Sequence, residues 1–295
     1  MSHIEFSIII PHKNTPDLLL RCVDSIPNRD DLEVIIVDDC SDKIVRDTLN
    51  NYCWKNKNVK VIGLVESKGG GFARNIGITH VKGKWVLFAD SDDYYSGSFG
   101  AFLDNYLKTQ CDVIYFKATT VEEDLSPSSK IVQMNVFIDK YLKNKSSIMD
   151  VKYGAWEPWN KMIKYDLIKN NNISFDEVSA QNDAIFSLKI GMYAKSQLVT
   201  DWLLYYYVQR KGSIIHSDTK EKIFSRLSVS IRQNILYREI GYKRKIFMPY
   251  YFLKYWKFVD KNIFYVYFDY LRKYKVNPFE GFFNYFLYKV FCKIR

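Results

Sequence analysis

The chain has 295 residues, 47% of them hydrophobic, so it is long enough to bury the core of one large domain or two ordinary ones. Its five cysteines are odd in number and show no CxxC or Cys/His spacing, which argues against a disulfide framework or a zinc site and favours reduced thiols in the cytoplasm. The net charge of +10 lies mainly in residues 242–295, where 12 lysines and arginines face three acidic residues.

Apolar segments in the first 120 residues predict five β-strands, at 6–11, 32–39, 59–64, 85–90 and 111–119. They are β-branched and largely continuous rather than alternating, as is typical of parallel strands covered on both faces. The first segment stops at a proline, and no apolar run approaches the ~18 residues of a membrane span, so we expect a strand rather than a signal peptide at the N-terminus.

Segments with helical periodicity lie between these strands. Thr15 and Pro16 predict the start of the first helix, and Ser41 or Asp42 is expected to cap the second. The alternation of strands and helices predicts an α/β fold, an open, twisted, mostly parallel sheet flanked by helices.

The later sequence changes character. Residues 122–130 are polar and predict an exposed loop or lid, and 202–208 predict a strand. From about residue 218 the pattern is helical, so we divide the chain into an α/β domain, 1–217, and a helical, basic and aromatic C-terminal region, 218–295.

Polar residues follow three of the predicted strands, in Pro11-His12-Lys13-Asn14, Asp38-Asp39 and Asp90-Ser91-Asp92. Ligands of such sheets bind outside the carboxyl ends of the strands, so these residues are expected to share one site.

The segment "WVLFADSDDYY" ends a buried strand in Asp90, Asp92 and Asp93. Asp90 and Asp92 point the same way if the strand continues, and carboxylates with phosphate oxygens are the ligands that Mg²⁺ or Mn²⁺ prefers. Acidic triplets also occur in ordinary surface turns, and Asp93 is interpreted as a cap for the next element.

Gly69, Gly70 and Gly71 precede a predicted helix that carries Arg74. The spacing matches neither a dinucleotide fingerprint nor a P-loop, but the helix entry can still bind phosphate.

Taken in order, "SIIIPHKN", "LEVIIVDDCS", "GGGFARNIGI", "GKWVLFADSDD", "PWNKMIKYDLI", "SAQNDAIFSLKI" and "YYYVQRKGSI" resemble the family 2 glycosyltransferases over roughly residues 5–217. The resemblance implies the GT-A fold and transfer of a sugar, with inversion, from a nucleotide-sugar to a hydroxyl of a saccharide or lipid-linked acceptor. It implies a UDP-sugar donor, Mn²⁺ or Mg²⁺ as cofactor, and a role in capsule, O-antigen or other surface-polysaccharide synthesis.

The same resemblance implies roles for individual residues. Asp183 matches the general base and Asp92 the metal ligand, with His216 as a further candidate ligand or an ordinary loop histidine. Trp156, Trp159 and Asn182 fall on the acceptor side, where the tryptophans stack on a sugar or pack under a lid. The nucleotide-sugar site is expected to comprise Pro11, His12, Asn14, Asp39, Arg74, Asp90 and Ser91.

Two positions depart from the family pattern. Cys40 replaces the usual glycine and is expected to restrict the turn. Asn182 replaces the usual glutamate before Asp183, which removes a negative charge and should lower the tendency of Asp183 to hold a proton. A catalytically impaired relative that binds nucleotide-sugar or membrane, and a sugar nucleotidyltransferase, therefore stay open as alternatives.

The basic, aromatic segment 242–295 has three interpretations: nucleic-acid binding, helical packing and attachment to an anionic membrane. No nucleic-acid recognition module is apparent, so we favour the membrane. A cytoplasmic protein held at the inner face of the cytoplasmic membrane is expected.

Overall fold

The structure is a computed structural model that describes residues 3–154, 156–210, 219–259 and 261–282. Its strands are β1 (Phe6–His12), β2 (Leu32–Asp38), β3 (Val59–Gly63), β4 (Trp85–Phe88), β5 (Tyr94–Tyr95), β6 (Val113–Glu122), β7 (Lys161–Lys164) and β8 (Gln197–Gln209). Its helices are α1 (Pro16–Asp24), α2 (Lys43–Asn51), α3 (Gly69–Thr79), α4 (Phe99–Tyr106), α5 (Gln133–Leu142), α6 (Ile148–Tyr153), α7 (Tyr165–Asn170), α8 (Ala184–Tyr193), α9 (Lys220–Glu239), α10 (Met248–Lys254) and α11 (Lys261–Lys273).

The strands form one sheet in the order β3-β2-β1-β4-β7-β6-β8-β5. Strands β1 to β4 are parallel, as predicted. The antiparallel strand β7 lies between β4 and β6, and β5 runs antiparallel to β8. The predicted open, mostly parallel sheet flanked by helices is confirmed, but the sequence pattern did not identify β7, since four residues carry too little periodicity to be recognised.

The core lies on both faces of this sheet. Every residue of β2 is buried, as expected of a central parallel strand with helices on each side. Helix α3 lies very close to β1, because a Cβ at Gly77 would stand 2.4 Å from Cγ2 of Ile9. This close packing fixes the position of α3, whose first turn reaches the carboxyl ends of β1 and β2.

The connections at this edge use side chains in ways that the sequence only partly predicted. Pro16 is in the first turn of α1, as predicted. Asp42 occupies the N-cap position of α2, but its side chain makes no capping hydrogen bond. Ser41 donates a hydrogen bond to Asp38 instead. Cys40 has φ 58°, the left-handed region in which glycine is favoured, so the expected restriction at this turn has a clear physical cause.

The C-terminal helices pack on the rest of the molecule. Arg232 of α9 donates to both carboxylate oxygens of Asp176, at 2.8 and 3.1 Å, and the Tyr237 hydroxyl donates to the Tyr153 carbonyl at 3.0 Å. The expected boundary at 217/218 falls in 211–218, outside the described residues. None of the helices in the described ranges combines the length and hydropathy that crossing a bilayer requires.

Candidate functional site

A cleft of about 1080 Å³ opens beyond the carboxyl end of β4. Its floor includes the first turn of α3, Asp90, Asp92 and the segment 177–183, and its far wall is formed by α9 and α10. The sheet has a topological switch point beside β1, because β2 and β3 lie on one side of β1 and β4 lies on the other. Such switch points are where open α/β sheets bind ligands.

Asp90 and Arg74 form an ion pair on the cleft floor. Arg74 is buried and also donates from Nη1 to the Asn182 side-chain oxygen at 3.2 Å, so one guanidinium joins two predicted site residues. The Asp90 backbone N–H donates to the hydroxyl of Tyr205 at 2.9 Å. The strand ends at Phe88, so the side chains of Asp90 and Asp92 are arranged by a turn and not by strand alternation.

Asp92 pairs with Arg210, whose Nε donates to the carboxylate at 2.9 Å. Burial raises the pKa of Asp92, the nearby Asp90 raises it further, and Arg210 opposes both effects. Within the described ranges, no three His, Cys, Asp or Glu side chains form a group that could hold a metal ion. A cation here would therefore depend on Asp92, Asp90 and oxygens of a bound phosphate, which suit Mg²⁺ or Mn²⁺.

Asp93 does not cap the element that follows it, and that prediction was wrong. Its carboxylate is fully buried and accepts hydrogen bonds from the Tyr205 hydroxyl and the Val208 N–H, each at 2.8 Å. Burial raises the pKa of Asp93 well above its usual range, and the charges of Asp92 and Asp90 add to the effect. Asp93 thus fastens the acidic turn to β8, a partner more than a hundred residues away in sequence.

The expected donor-side residues divide into those that line the cleft and those that support it. The His12 side chain is fully buried, with Nδ1 2.8 Å from Asp38 and Nε2 accepting from the Thr15 N–H at 3.1 Å. His12 therefore positions the end of β2, and its buried ring cannot contact a nucleotide-sugar directly. The Asn14 side-chain oxygen accepts from the Asp42 N–H at 2.8 Å and holds the neighbouring turn.

Asp39 anchors the glycine-rich entry to α3. Its carboxylate accepts from the Ser67 hydroxyl at 2.7 Å and from the N–H groups of Lys68 and Gly69 at 2.7 and 3.0 Å. Pro11 is half-buried near the end of β1, and Ser91 is half-buried between the two cleft aspartates.

Asp183 lies at the N-cap position of α8 and lines the cleft. Burial raises its pKa to about 6, Arg74 lowers it, and Glu157 and Asp90 raise it. The missing charge at Asn182 is not the largest influence on Asp183, because burial raises the pKa most and Glu157 supplies a negative charge from another segment. Sequence adjacency did not reveal Glu157, which is 26 positions away.

The two tryptophans of the acceptor side have different environments. Trp156 lines the cleft and packs beside Ala184 and Val229. Trp159 is buried and stacks on Tyr205 with ring centroids 4.8 Å apart, so its ring is core packing and not a sugar platform. His216 lies outside the described residues.

The cleft wall contains side chains that the sequence did not assign to the site. They come from α9, α10 and the residue after it, and include Lys222, Arg226, Tyr250, Lys254 and Tyr255. Their basic and aromatic composition was visible in the sequence, but nothing in it placed them beside Asp183.

Comparison with known proteins fits this geometry. The sequence model of glycosyl transferase family 2 matches residues 7–172. The poly(ribitol-phosphate) beta-glucosyltransferase of Bacillus spizizenii is 33% identical over 217 residues, which are 71% of this chain and 33% of the relative, so the chain spans about a third of that protein.

Two solved structures have folds similar to that of this chain. S. aureus TarS 1–349 in complex with UDP-GlcNAc has a TM-score of 0.62 and 25% identity over 79% of this chain and 66% of its own. The mannosyltransferase PcManGT from Pyrobaculum calidifontis, in complex with GDP-Man and Mn²⁺, has a TM-score of 0.53 at 15% identity over 79% and 64% of the two chains, which shows a shared fold alone.

The raised pKa of Asp183 predicts a pH-dependent cost to stability. Its folded-state pKa of about 6 exceeds the ordinary value, so its stabilising contribution is complete at low pH and is lost as the pH rises through 6. Asp183→Asn should therefore increase the free energy of unfolding by about 1–2 kcal/mol at pH 8 and much less at pH 4, less than the full shift implies because the cleft hydrates the group. Urea unfolding across pH 4–8 measures this, with Asp201→Asn, an exposed carboxylate on β8, as control. An equal effect at both pH values would contradict it.

Proposed function

Because the chain belongs to glycosyl transferase family 2, we propose that it transfers a sugar from a nucleotide-sugar to a hydroxyl group of a surface-polysaccharide acceptor, with inversion. The observation that carries the proposal is one cleft that holds Asp90 and Asp92 at the strand ends and Asp183 across from them. A single displacement requires a base for the acceptor proton, the role proposed for Asp183, and positive charge at the leaving group, which a cation held by Asp92 and Asp90 would supply.

In this reaction Asp183 takes the proton of the acceptor hydroxyl. The acceptor oxygen forms a bond to the anomeric carbon from one face while the bond from that carbon to the diphosphate oxygen breaks on the other. A carboxyl group with a pKa of about 6 is mostly ionised at neutral pH and is still basic enough to accept a proton during bond formation.

The donor side must neutralise the departing diphosphate. Arg74 and Arg210 lie on the cleft and carry positive charge beside Asp90 and Asp92. Asp92 would hold Mn²⁺ or Mg²⁺, which when bound supplies further positive charge to the leaving group. Arg210 would release Asp92 to that cation and turn to the phosphates. UDP is the proposed nucleotide, because the similar TarS structure binds UDP-GlcNAc.

The acceptor side favours an anionic polymer. Lys222, Arg226 and Lys254 line the wall that faces Asp183, and the curated relative is named for transfer to poly(ribitol-phosphate). We therefore propose a polyol-phosphate chain or a similarly charged saccharide, which includes lipid-linked forms, as acceptor.

Attachment to an anionic membrane is proposed for the C-terminal region. Trp256, Tyr265 and Phe268 are 68%, 72% and 60% exposed, beside Lys257 and Lys261. Exposed aromatic side chains next to lysines suit the interface of an anionic bilayer. Placed at the inner face of the cytoplasmic membrane, the cleft would meet a lipid-linked acceptor.

The alternatives predict different behaviour. A sugar nucleotidyltransferase would need a glycine-rich, basic loop after β1, and the β1–α1 connection contains no glycine. A catalytically impaired relative would bind UDP without turnover, and Asn182 is the feature that suggests it.

Transfer activity tests the proposed base. Asp183→Asn should reduce the rate of transfer from UDP-sugars by about 10²–10⁴-fold, because no base remains to take the proton of the acceptor hydroxyl. The affinity for UDP should stay the same. The measurement is product formation with a panel of UDP-sugars and Mn²⁺, offered poly(ribitol phosphate), neutral oligosaccharides or water. Asp201→Asn is the control. UDP binding without turnover of any donor by the wild-type protein would support the impaired relative instead.

Metal-dependent binding tests Asp92. Asp92→Asn keeps the shape of the side chain but removes its charge, so the gain in UDP affinity on adding Mn²⁺ should disappear, whereas Asp104→Asn, an exposed pair of Arg29, should retain it. Calorimetric titration of UDP with and without Mn²⁺ measures both. An unchanged metal effect in Asp92→Asn would remove the metal assignment.

Vesicle binding tests the membrane surface. The wild-type protein should sediment with vesicles of phosphatidylglycerol at low salt, and the Trp256→Ala, Phe268→Ala double variant should remain in the supernatant. Tyr193→Ala removes an exposed aromatic outside the C-terminal region and is the control. Equal sedimentation of all three proteins would contradict the proposal.

A further inference from the structure

A charged side chain that the proposed reaction does not use is buried behind the cleft. Lys161, in β7, is 0% exposed, and its Nζ donates to the Glu157 carbonyl and, at 3.0 Å, to the Asn160 side-chain oxygen. The neighbouring face is aromatic, with Nζ 6.0 Å from the ring centroid of Tyr115. A buried ammonium is costly unless negative charge opposes it, so its surroundings should contain acids.

Glu157 provides one such charge. Its Oε2 is buried and accepts no hydrogen bond from any described residue. Glu157 is not among the residues that line the cleft, although its neighbour Trp156 is.

The segment that carries both charges is joined to the helix of Asp183. Trp156, next to Glu157, accepts a hydrogen bond at its carbonyl from the Ser187 hydroxyl. The Ser187 N–H in turn donates to the Asp183 carbonyl at 2.9 Å in the first turn of α8. The segment that begins at Trp156 thus lies against the N-terminal turn of α8.

We propose that Glu157 and Lys161 are positioning residues whose opposite charges, held against the N-terminal turn of α8, set the charge state of Asp183. The inference rests on the proposed function, in which Asp183 is the base. Glu157, from another segment of the chain, then supplies the negative charge that a glutamate at position 182 would provide. Lys161 acts in the opposite sense, because its positive charge favours the ionised form of Asp183.

The titration behaviour of these groups agrees with this arrangement. Glu157 raises the pKa of Asp183, as does Asp90, and Arg74 lowers it. Burial lowers the pKa of Lys161 to about 8, and the charges of Glu157 and Asp183 raise it, so the ammonium is still mostly protonated at neutral pH. The other charged groups that line the same cleft are Lys68, Asp92, Glu177, Arg210, Glu221, Lys222, Arg226 and Lys254.

Two substitutions should move the ionisation of Asp183 in opposite directions. Glu157→Gln removes a negative charge and should lower its midpoint by about 0.5–1 pH unit, and Lys161→Met removes a positive charge and should raise it by a similar amount. The midpoint is read from the pH dependence of urea unfolding, as the difference between each protein with Asp183 and the same protein with Asp183→Asn. Glu239→Gln, exposed on α9, and Lys164→Met, partly exposed on β7, are matched controls and should leave the midpoint unchanged.

The pH profile of kcat/KM supplies the second readout. Its acid limb should move to lower pH in Glu157→Gln and to higher pH in Lys161→Met, in step with the unfolding midpoints. If Lys161→Met does not fold, Glu157→Gln alone decides. If the ionisation midpoint of Asp183 and the acid limb of the kcat/KM profile stay the same in an active enzyme, this inference is overturned. Moved midpoints in a protein without transfer activity would uphold the charge coupling and overturn the proposed function.

Discussion

Repulsion between the acidic side chains that end β4 is the constraint on which the rest of the site depends. Asp90, Asp92 and Asp93 fall within four residues, and two like charges 4 Å apart repel by about 4 kcal/mol near a protein surface. Each finds a different partner: Arg74 on α3, Arg210 at the end of β8, and the Tyr205 hydroxyl with the Val208 N–H. Because these partners come from α3 and from the end of β8, both elements lie against the acidic turn, and the cleft opens between them.

Arg74 extends the arrangement to the other half of the site. It pairs with Asp90, donates to Asn182 and lowers the pKa of Asp183. The donor and acceptor halves therefore share one buried cation. A change of charge at Asp90 would therefore be felt at Asp183 through Arg74, and in the proposed reaction this would link the departure of diphosphate to the uptake of the acceptor proton.

The C-terminal helices have two surfaces with different chemistry. One side of α9 and α10 lines the cleft with Lys222, Arg226 and Tyr250, and buried residues such as Leu227 and Tyr255 join them to α11. The aromatic and basic residues of this region thus form a cleft wall, a small core and an exposed surface. Composition alone could not divide these roles, because all three use the same residue types.

Local pattern by itself determined the α/β class, the parallel strands β1 to β4, and the strand ends where Asp39, Asp90 and Asp92 lie, because continuous apolar runs and polar strand ends are encoded within a few residues. Ordered motifs pointed to the family and to Asp183. Only the tertiary structure decided that Trp159 is core, that His12 is a support, that Asp93 is held by β8, and that the charge of Glu157 raises the pKa of Asp183. Those outcomes depend on partners tens to more than a hundred residues apart, and the charge state of a carboxyl group follows the burial and charges that surround it in space rather than its neighbours in sequence.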